Sequence, residues 1–323
     1  MLISGNPARD ALKNGKRSAL GETALAGVLW GTSFPVITYG IGQGLDPRLF
    51  VFLRFASAAP LMVVVALVLR KKILATLRKK SVWVLGALNA VGFLCQFLGQ
   101  SLTGAAVAAL LVNLSVLVTA AGSAAILKER FGKAKTLGVV VAVVGIVLLT
   151  TQGDLSQVSR GMLTGDSLYL LAAFCWGWYM IYNKKKTDEE RWDPLSLTAS
   201  IVMLTALFVS PALLTLRSLG PVTTGIWGLV GYTAVVNTAL PFVLYQRGLR
   251  VLTATLSAVV LMLEIVTAVL ISLLFLGEAF NAYSILGAAA VLASIYLVST
   301  NEGGRKSLSV MKEDVGVEGP LGA

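Results

Sequence analysis

No histidine occurs in this 323-residue chain, and only two cysteines do. The missing imidazole excludes His-based proton relays, histidine metal sites and the His of a serine-type intramembrane protease. Cys95 and Cys175 each lie inside an apolar run, with no spacing that suggests a disulfide framework or a metal site. They read as small buried hydrophobes. Charge is scarce as well: charged residues make up 13% of the chain and hydrophobic ones 56%, at a mean hydropathy of +0.80, whereas soluble domains carry about 25% charged residues. There is no P-loop Gly-x-x-x-x-Gly-Lys and no His-Glu-x-x-His. That counts against an ATP-driven pump and an intramembrane enzyme, and no cofactor or metal is expected.

What is present is a series of long apolar runs, so lipid is the expected solvent for most of the chain. The runs exceed the ~9–11 alternating residues of an outer-membrane strand, and they predict helices. Ten spans are read at about 20–41, 48–69, 82–101, 104–127, 134–151, 165–183, 194–215, 225–246, 251–275 and 282–299. The first is read as a retained helix, because Trp30-Gly31-Thr32-Ser33-Phe34-Pro35 interrupts what a cleaved leader would keep apolar. The net charge of +11 sits in short clusters between runs, which points to topology and anionic lipid, with no nucleic-acid partner expected. With both termini inside, 23 of the 27 basic residues fall on the inner side. Arg48, Arg160 and Arg217 fall outside, and Arg54 lies within a span. Nine or eleven spans would scramble this split, so both termini are expected to be cytoplasmic and the chain multi-pass in the cytoplasmic membrane.

The second half repeats the first. Leu25–Gly31 matches Leu171–Gly177, Asp46-Pro47 matches Asp193-Pro194, Glu129 matches Glu278, and Gly138 matches Gly287, at offsets of 146 to 149 residues. Each half holds five spans, and an odd number turns the second half upside down. Homologous loops accordingly carry opposite charge: Lys184-Lys185-Lys186 stands opposite a first loop empty of Lys and Arg before Arg48. The predicted fold is an all-α membrane protein of ten transmembrane helices in two inverted five-helix repeats. Its regions are a cytoplasmic segment 1–19, repeats at 20–151 and 165–299, and a disordered tail at 300–323.

Trp30-Gly31-Thr32-Ser33-Phe34-Pro35, Arg54-Phe55, the ends at Glu129 and Glu278, and Leu263-Glu264 resemble the drug/metabolite transporter superfamily, EamA branch. The resemblance covers about residues 20–299. It implies a ten-helix exporter of amino acids and other metabolites, with a central cavity lined by spans one, three, four, six, eight and nine. The chain departs from the family's pattern where Ile265, and not a proline, follows Glu264.

Several residues are candidates to line such a cavity. Glu264 lies ~12 residues into the ninth span, ~18 Å deep at 1.5 Å per residue. It is read either as a ligand for a substrate ammonium or a proton-exchange site, or as a hydrogen-bonded staple between helices. Arg54, ~9 Å inside the second span, is expected to snorkel outward. The alternatives are a substrate carboxylate or Glu264 as its partner. Asn89, Gln96 and Gln100 share one face of the third span, and Asn237 with Tyr245 occupies the matching face of the eighth. These amides suggest a cavity wall, with interhelical hydrogen bonding as the alternative. Trp30 and Trp176 are deep, repeat-related aromatics that could favour apolar or aromatic substrates. Pro35, Pro60 and Pro241 could mark hinges, and Gly27 with Gly31 close helix packing. The leading expectation is a secondary transporter exporting a small metabolite by alternating access, with possible proton coupling, as monomer or homodimer. The other readings are a passive facilitator or channel and a membrane assembly protein without transport.

Overall fold

The computed structural model describes residues 7–102, 111–154, 163–216, 223–276 and 281–300. Every regular element among them is helical. The first span is α1 (Pro7–Gly31) and α2 (Ser33–Gly42), interrupted at Thr32. Then come α3 (Pro47–Val68), a short α4 (Ile73–Leu77), α5 (Lys80–Gln100), α6 (Ser115–Ala125) and α7 (Lys133–Thr151). The second half comprises α8 (Leu163–Glu190), α9 (Pro194–Val209), α10 (Thr224–Ala234), α11 (Leu240–Val251), α12 (Ala254–Leu261), α13 (Leu263–Leu276) and α14 (Ala282–Thr300). A π-helical turn, Val235–Ala239, joins α10 to α11.

Among the described residues, eight helices are long and apolar enough to cross a membrane, and Leu111–Ala125 is a shorter apolar one. The 28-residue α8 is less apolar because Asp166, Trp176, Trp178 and a polar end dilute it. It runs two turns beyond the expected end of its span. The Lys184-Lys185-Lys186 run is therefore helical and not a loop, since lysines are good helix formers once outside lipid. Arg160, Arg217, Glu278, the start of the fourth span and the tail 301–323 lie outside the described residues.

The surface is apolar and the interior carries polar groups, the inverse of a water-soluble fold. Val68, Leu137, Leu170, Phe174, Leu207, Ile285 and Tyr296 are exposed, while Asn89, Asn183, Asn237 and Gln246 are buried. Such an apolar belt faces hydrocarbon; the chain is a multi-pass membrane protein.

Local chemistry fixes several helix starts. Asp46 and Asp193 each cap a helix that opens with proline, accepting hydrogen bonds from the backbone N–H of Arg48 at 2.8 Å and of Ser196 at 2.9 Å. The Arg48 side chain also bonds the Asp46 carboxylate and holds it below the usual carboxylate range.

Packing follows one rule of exchange. The pairs α1·α11 and α8·α5 correspond, as do α1·α13 and α8·α6, while α3·α9 and α7·α14 pair counterparts with each other. Close approaches obey it too. A Cβ on Gly31 would meet the backbone carbonyl of Glu264, and one on Gly177 the carbonyl of Ser115. Gly138 lies against Ser294 as Gly145 lies against Gly287. Small residues let these helices touch backbone to backbone.

The lysine- and arginine-rich segments gather at one end, called here the basic end. Lys71 bonds Asp193, Lys79 pairs with Glu190, Lys184 Nζ donates to the carbonyl of Leu249, and Arg247 pairs with Glu22.

Candidate functional site: a mid-bundle cavity

Four helix interruptions converge on the middle of the bundle, and two have a visible covalent cause. Proline has no N–H, so the carbonyl four residues before it loses its helical partner. Pro35 frees the carbonyl of Gly31 beside the break at Thr32, and Pro241 frees that of Asn237 inside the π-helical turn. The other two interruptions fall at Leu114 and Met262, at matching places in the fourth and ninth spans.

The freed carbonyl of Asn237 is taken up by cavity residues. Trp30 Nε1 donates to it at 3.0 Å, and Arg54 Nη2 donates to it at 2.5 Å. Arg54 Nε donates to Thr238 Oγ1 at 2.7 Å. The Asn237 side chain turns the other way: its Nδ2 donates to the carbonyl of Leu29 at 2.6 Å and to Thr32 Oγ1 at 2.8 Å. Asn237 thus ties the break in the first span to the break in the eighth. Pro241→Ala is expected to return the Asn237 carbonyl to a helical N–H and leave Arg54 short of an acceptor. Ligand binding in the cavity should fall about tenfold or more, the worth of one hydrogen bond to a charged group, without loss of thermal stability. Parallel binding and melting measurements check this.

The cavity holds about 780 Å³ of empty space, its mouth included. Trp30, Ser33 and Phe34 line it from the first span, Phe93 and Gln96 from α5, and Trp176, Tyr179 and Met180 from α8. Asn113, Ser115, Phe242, Tyr245, Leu261 and Met262 contribute from the fourth, eighth and ninth spans, with Arg54 and Glu264 as the guanidinium and the carboxyl group among the described lining residues. The aromatic rings form a continuous lattice, edge-on for Phe93–Trp176 at 4.6 Å and Trp30–Phe242 at 5.2 Å, and tilted for Trp30–Tyr245 at 5.8 Å and Phe93–Phe242 at 6.2 Å between centroids.

Arg54 is 1% exposed, and its guanidinium lies 4.8 Å from the centre of the Phe93 ring. The expected snorkelling is corrected: the α3 face that carries Arg54 also carries Phe50 and Ala58, which are fully buried, so the side chain points inward. Among the described residues its Nη1 has no hydrogen-bond partner. Glu264 stands in the first turn of α13, where the helix dipole favours a carboxylate. Among the described residues neither Arg54 nor Glu264 has an ion-pair partner. Its repeat counterpart is Ser115, which also lines the cavity.

Of the sequence candidates, Glu264, Gln96, Trp30, Trp176, Tyr245 and Arg54 meet in this cavity. Two others are placed elsewhere. Asn89 is fully buried and donates to Thr205 Oγ1 of α9 at 2.8 Å, while Asn237 acts from behind the wall. Gln100 bonds the Phe34 carbonyl and Thr38 Oγ1. The amide stripe of α5 is thus divided, its ends joining helices and its centre facing the cavity. Phe93, Phe242, Tyr179 and Asn113 were not among the candidates. Phe93 stands between Asn89 and Gln96 on the amide face, and Tyr179 one turn beyond Trp176, so both carried a positional signal.

The cavity is closed toward the basic end by two buried layers. In the first, Tyr179 and Tyr245 stack with centroids 6.4 Å apart, Gln246 Nε2 donates to the Tyr179 hydroxyl, and Asn183 Nδ2 donates to Gln246 Oε1. In the second, Glu129 accepts bonds from Lys135 Nζ at 2.6 Å, Ala254 N at 2.9 Å and Thr255 Oγ1 at 2.6 Å. It thereby caps the start of α12. The side chains of this ion pair are 3% and 8% exposed.

A family model of the EamA-like transporter family matches residues 20–151 and 163–300. The chain is similar to the "Uncharacterized transporter YyaM" of Bacillus subtilis, 25% identical over 84% of this chain and 90% of the relative. It is also similar to an "Uncharacterized transporter" of Archaeoglobus fulgidus, 27% identical over 86% and 96%. The "Uncharacterized inner membrane transporter YicL" of Salmonella typhimurium is 24% identical over 88% and 95%. A solved structure described as "Crystal structure of protein" superposes with a TM-score of 0.75 at 18% identity, covering 88% of this chain and 98% of that one, and so shares the fold. The chain belongs to the EamA-like transporter family and is a multi-pass membrane transporter.

Proposed function

We propose that the chain is a ten-span secondary transporter that exports a small zwitterionic metabolite, an amino acid or a related compound, across the cytoplasmic membrane. The observation that carries this reading is the pair Arg54 and Glu264, both without ion partners among the described residues, in one aromatic-lined cavity. A guanidinium suits a substrate carboxylate and a glutamate suits its ammonium. The rings of Trp30, Phe93 and Trp176 suit an apolar or aromatic side chain. Interrupted helices around a mid-bundle site, and packing unchanged on exchange of counterpart helices, support two inverted repeats working by alternating access. If the basic end is cytoplasmic, the closed layers at Tyr179–Tyr245 and Glu129–Lys135 face the cytoplasm, and the conformation is one that releases substrate outside. Glu264 exchanging a proton as the ammonium leaves would couple export to the proton gradient.

Two experiments bear on this. Purified protein is expected to bind an α-amino acid at least about tenfold more tightly than its methyl ester or its N-acetyl form, each of which deletes one charge-assisted hydrogen bond. Equal binding of all three would remove the zwitterion from the account. Glu129→Gln should loosen the cytoplasmic closure, since breaking a buried pair costs about 3–5 kcal/mol of the closed state. A cysteine placed at Ser257, in a chain without Cys95 and Cys175, is then expected to react faster with an impermeant thiol reagent added at the cytoplasmic face. An unchanged rate would assign the Glu129 cluster to structure alone.

A further inference from the structure

A second cleft lies at the basic end, outside the transport cavity, and its two sides come from the two halves of the chain. Arg70, Lys71, Lys72, Thr76 and Lys79 form one side, and Glu190, Arg191, Trp192, Asp193 and Ser196 the other. Lys71–Asp193 at 2.7 Å and Lys79–Glu190 at 3.3 Å tie the two sides together. Glu190 is further fixed by Ser81 Oγ and Trp192 Nε1, which donate to its two oxygens. Both acids of the cleft are thereby committed to lysines. Among the described residues, the side chains of Arg70 and Lys72 have no hydrogen-bond or ion-pair partner, and both are exposed at the rim.

The backbone adds an independent observation. Arg70 and Arg191, which end α3 and α8, have φ of 53° and 47°, in the left-handed region. Glycine or asparagine is the usual residue at such a helix end, because a Cβ is strained there. The chain places arginine at both, and both line this cleft. Next to the cleft, Leu67, Val68 and Leu69 at the end of α3 and Leu74 on α4 are exposed by 57% to 75%. Trp83, 44% exposed, donates from Nε1 to the Leu77 carbonyl, as a tryptophan at a membrane boundary does.

We propose that this cleft binds the phosphate headgroup of an anionic phospholipid, with Arg70 and Lys72 as its phosphate ligands and the Val68–Leu69–Leu74 surface as the bed for its acyl chains. The fit is one of charge and depth. Unpartnered cations at the rim of an open cleft recognise a phosphodiester, and the apolar strip leading away from it distinguishes a lipid from free phosphate. Lipid held here would sit on the loop after the second span, beside the ion pairs that tie it to the loop before the seventh. The proposal is independent of which substrate the central cavity takes.

The test uses the full-length protein in nanodiscs of phosphatidylglycerol diluted into phosphatidylcholine, with native mass spectrometry counting retained lipid. The parent should retain phosphatidylglycerol in preference to phosphatidylcholine. The double variant Arg70→Gln/Lys72→Gln should lose that retention by about tenfold or more, as expected for two basic residues at an anionic surface. Lys128→Gln/Lys133→Gln, which removes the same charge from another basic segment, should leave it intact. Equal loss in both double variants would reduce the effect to general electrostatics and overturn the site. As a measurement that needs no variant, backbone hydrogen exchange over 70–79 and 190–196 should slow in phosphatidylglycerol relative to pure phosphatidylcholine discs. If inorganic phosphate added to phosphatidylcholine discs slows it equally, the cleft takes soluble phosphate and the lipid assignment fails.

Discussion

Arg54→Met is expected to abolish transport while leaving the folded protein at least as stable as the parent. The two outcomes separate because Arg54 is poorly placed to stabilise the fold. A buried cation without a counter-charge carries a desolvation penalty, about 2.5–3.5 kcal/mol at mid-helix on insertion scales. Among the described residues its compensation is limited to the bonds to Thr238 and the Asn237 carbonyl and to the rings of Phe55, Phe93 and Phe97. Methionine matches its length, fills the space between Phe55, Phe93 and Phe97, and removes the penalty. The Asn237 carbonyl keeps Trp30 as its donor. Binding, in contrast, loses the unpaired Nη1 and the only cation in the cavity lining among the described residues, a deficit of about 1.5–3 kcal/mol or roughly 10- to 150-fold. Arg54→Lys keeps a charge but not the two-point anchorage, and should fall between the two. Flux into proteoliposomes and a thermal melt of the same preparations read both quantities. Unfolding of Arg54→Met with normal flux in the surviving protein would make Arg54 a structural staple.

The second large effect is expected at Glu264. Glutamine has the same shape, so Glu264→Gln preserves the contact of α13 with α1 at Gly31, which involves only the Glu264 backbone. It removes the one carboxylate of the cavity lining among the described residues, and with it the proton exchange proposed there. Net export driven by a pH gradient should drop to background, and its pH dependence should vanish with it. Substrate exchange without a gradient should persist at reduced affinity. The melting temperature should not fall, because no hydrogen bond to the side chain is lost among the described residues. A variant that loses folded protein, and keeps pH-driven export in what remains, would assign Glu264 to helix packing.

Much of this architecture could be read before any coordinates, for definite reasons. Eight of the spans were legible because lipid demands long uninterrupted apolarity, and the helix starts at Asp46-Pro47 and Asp193-Pro194 because capping is local chemistry. The meeting of Trp30, Trp176, Gln96 and Glu264 was legible in outline, since deep polar and aromatic residues are costly facing hydrocarbon. Arg54 was misread because α3 is apolar on every side. Nothing in its pattern distinguishes the lipid face from the packed one. Asn89 was assigned to the cavity because a shared helix face does not say which neighbour it meets, and α9 brings Thr205 there instead. The consequence of Pro241 was present in the sequence as a freed carbonyl four residues earlier, but its acceptance of Arg54 and Trp30 depends on three helices converging. The breaks at Leu114 and Met262 contain neither glycine nor proline. No local rule marks them.

The most direct test of the central claim, that Arg54 and Glu264 serve one transported small molecule, is a mass-spectrometric survey of the medium. Cells producing the parent, Arg54→Met, Glu264→Gln or no protein would be compared at equal membrane levels. The account predicts that one class of zwitterionic metabolite accumulates outside with the parent alone, and that both variants match the empty cells. Four identical media, with all three proteins folded, would contradict it and leave the cavity without the export function proposed for it.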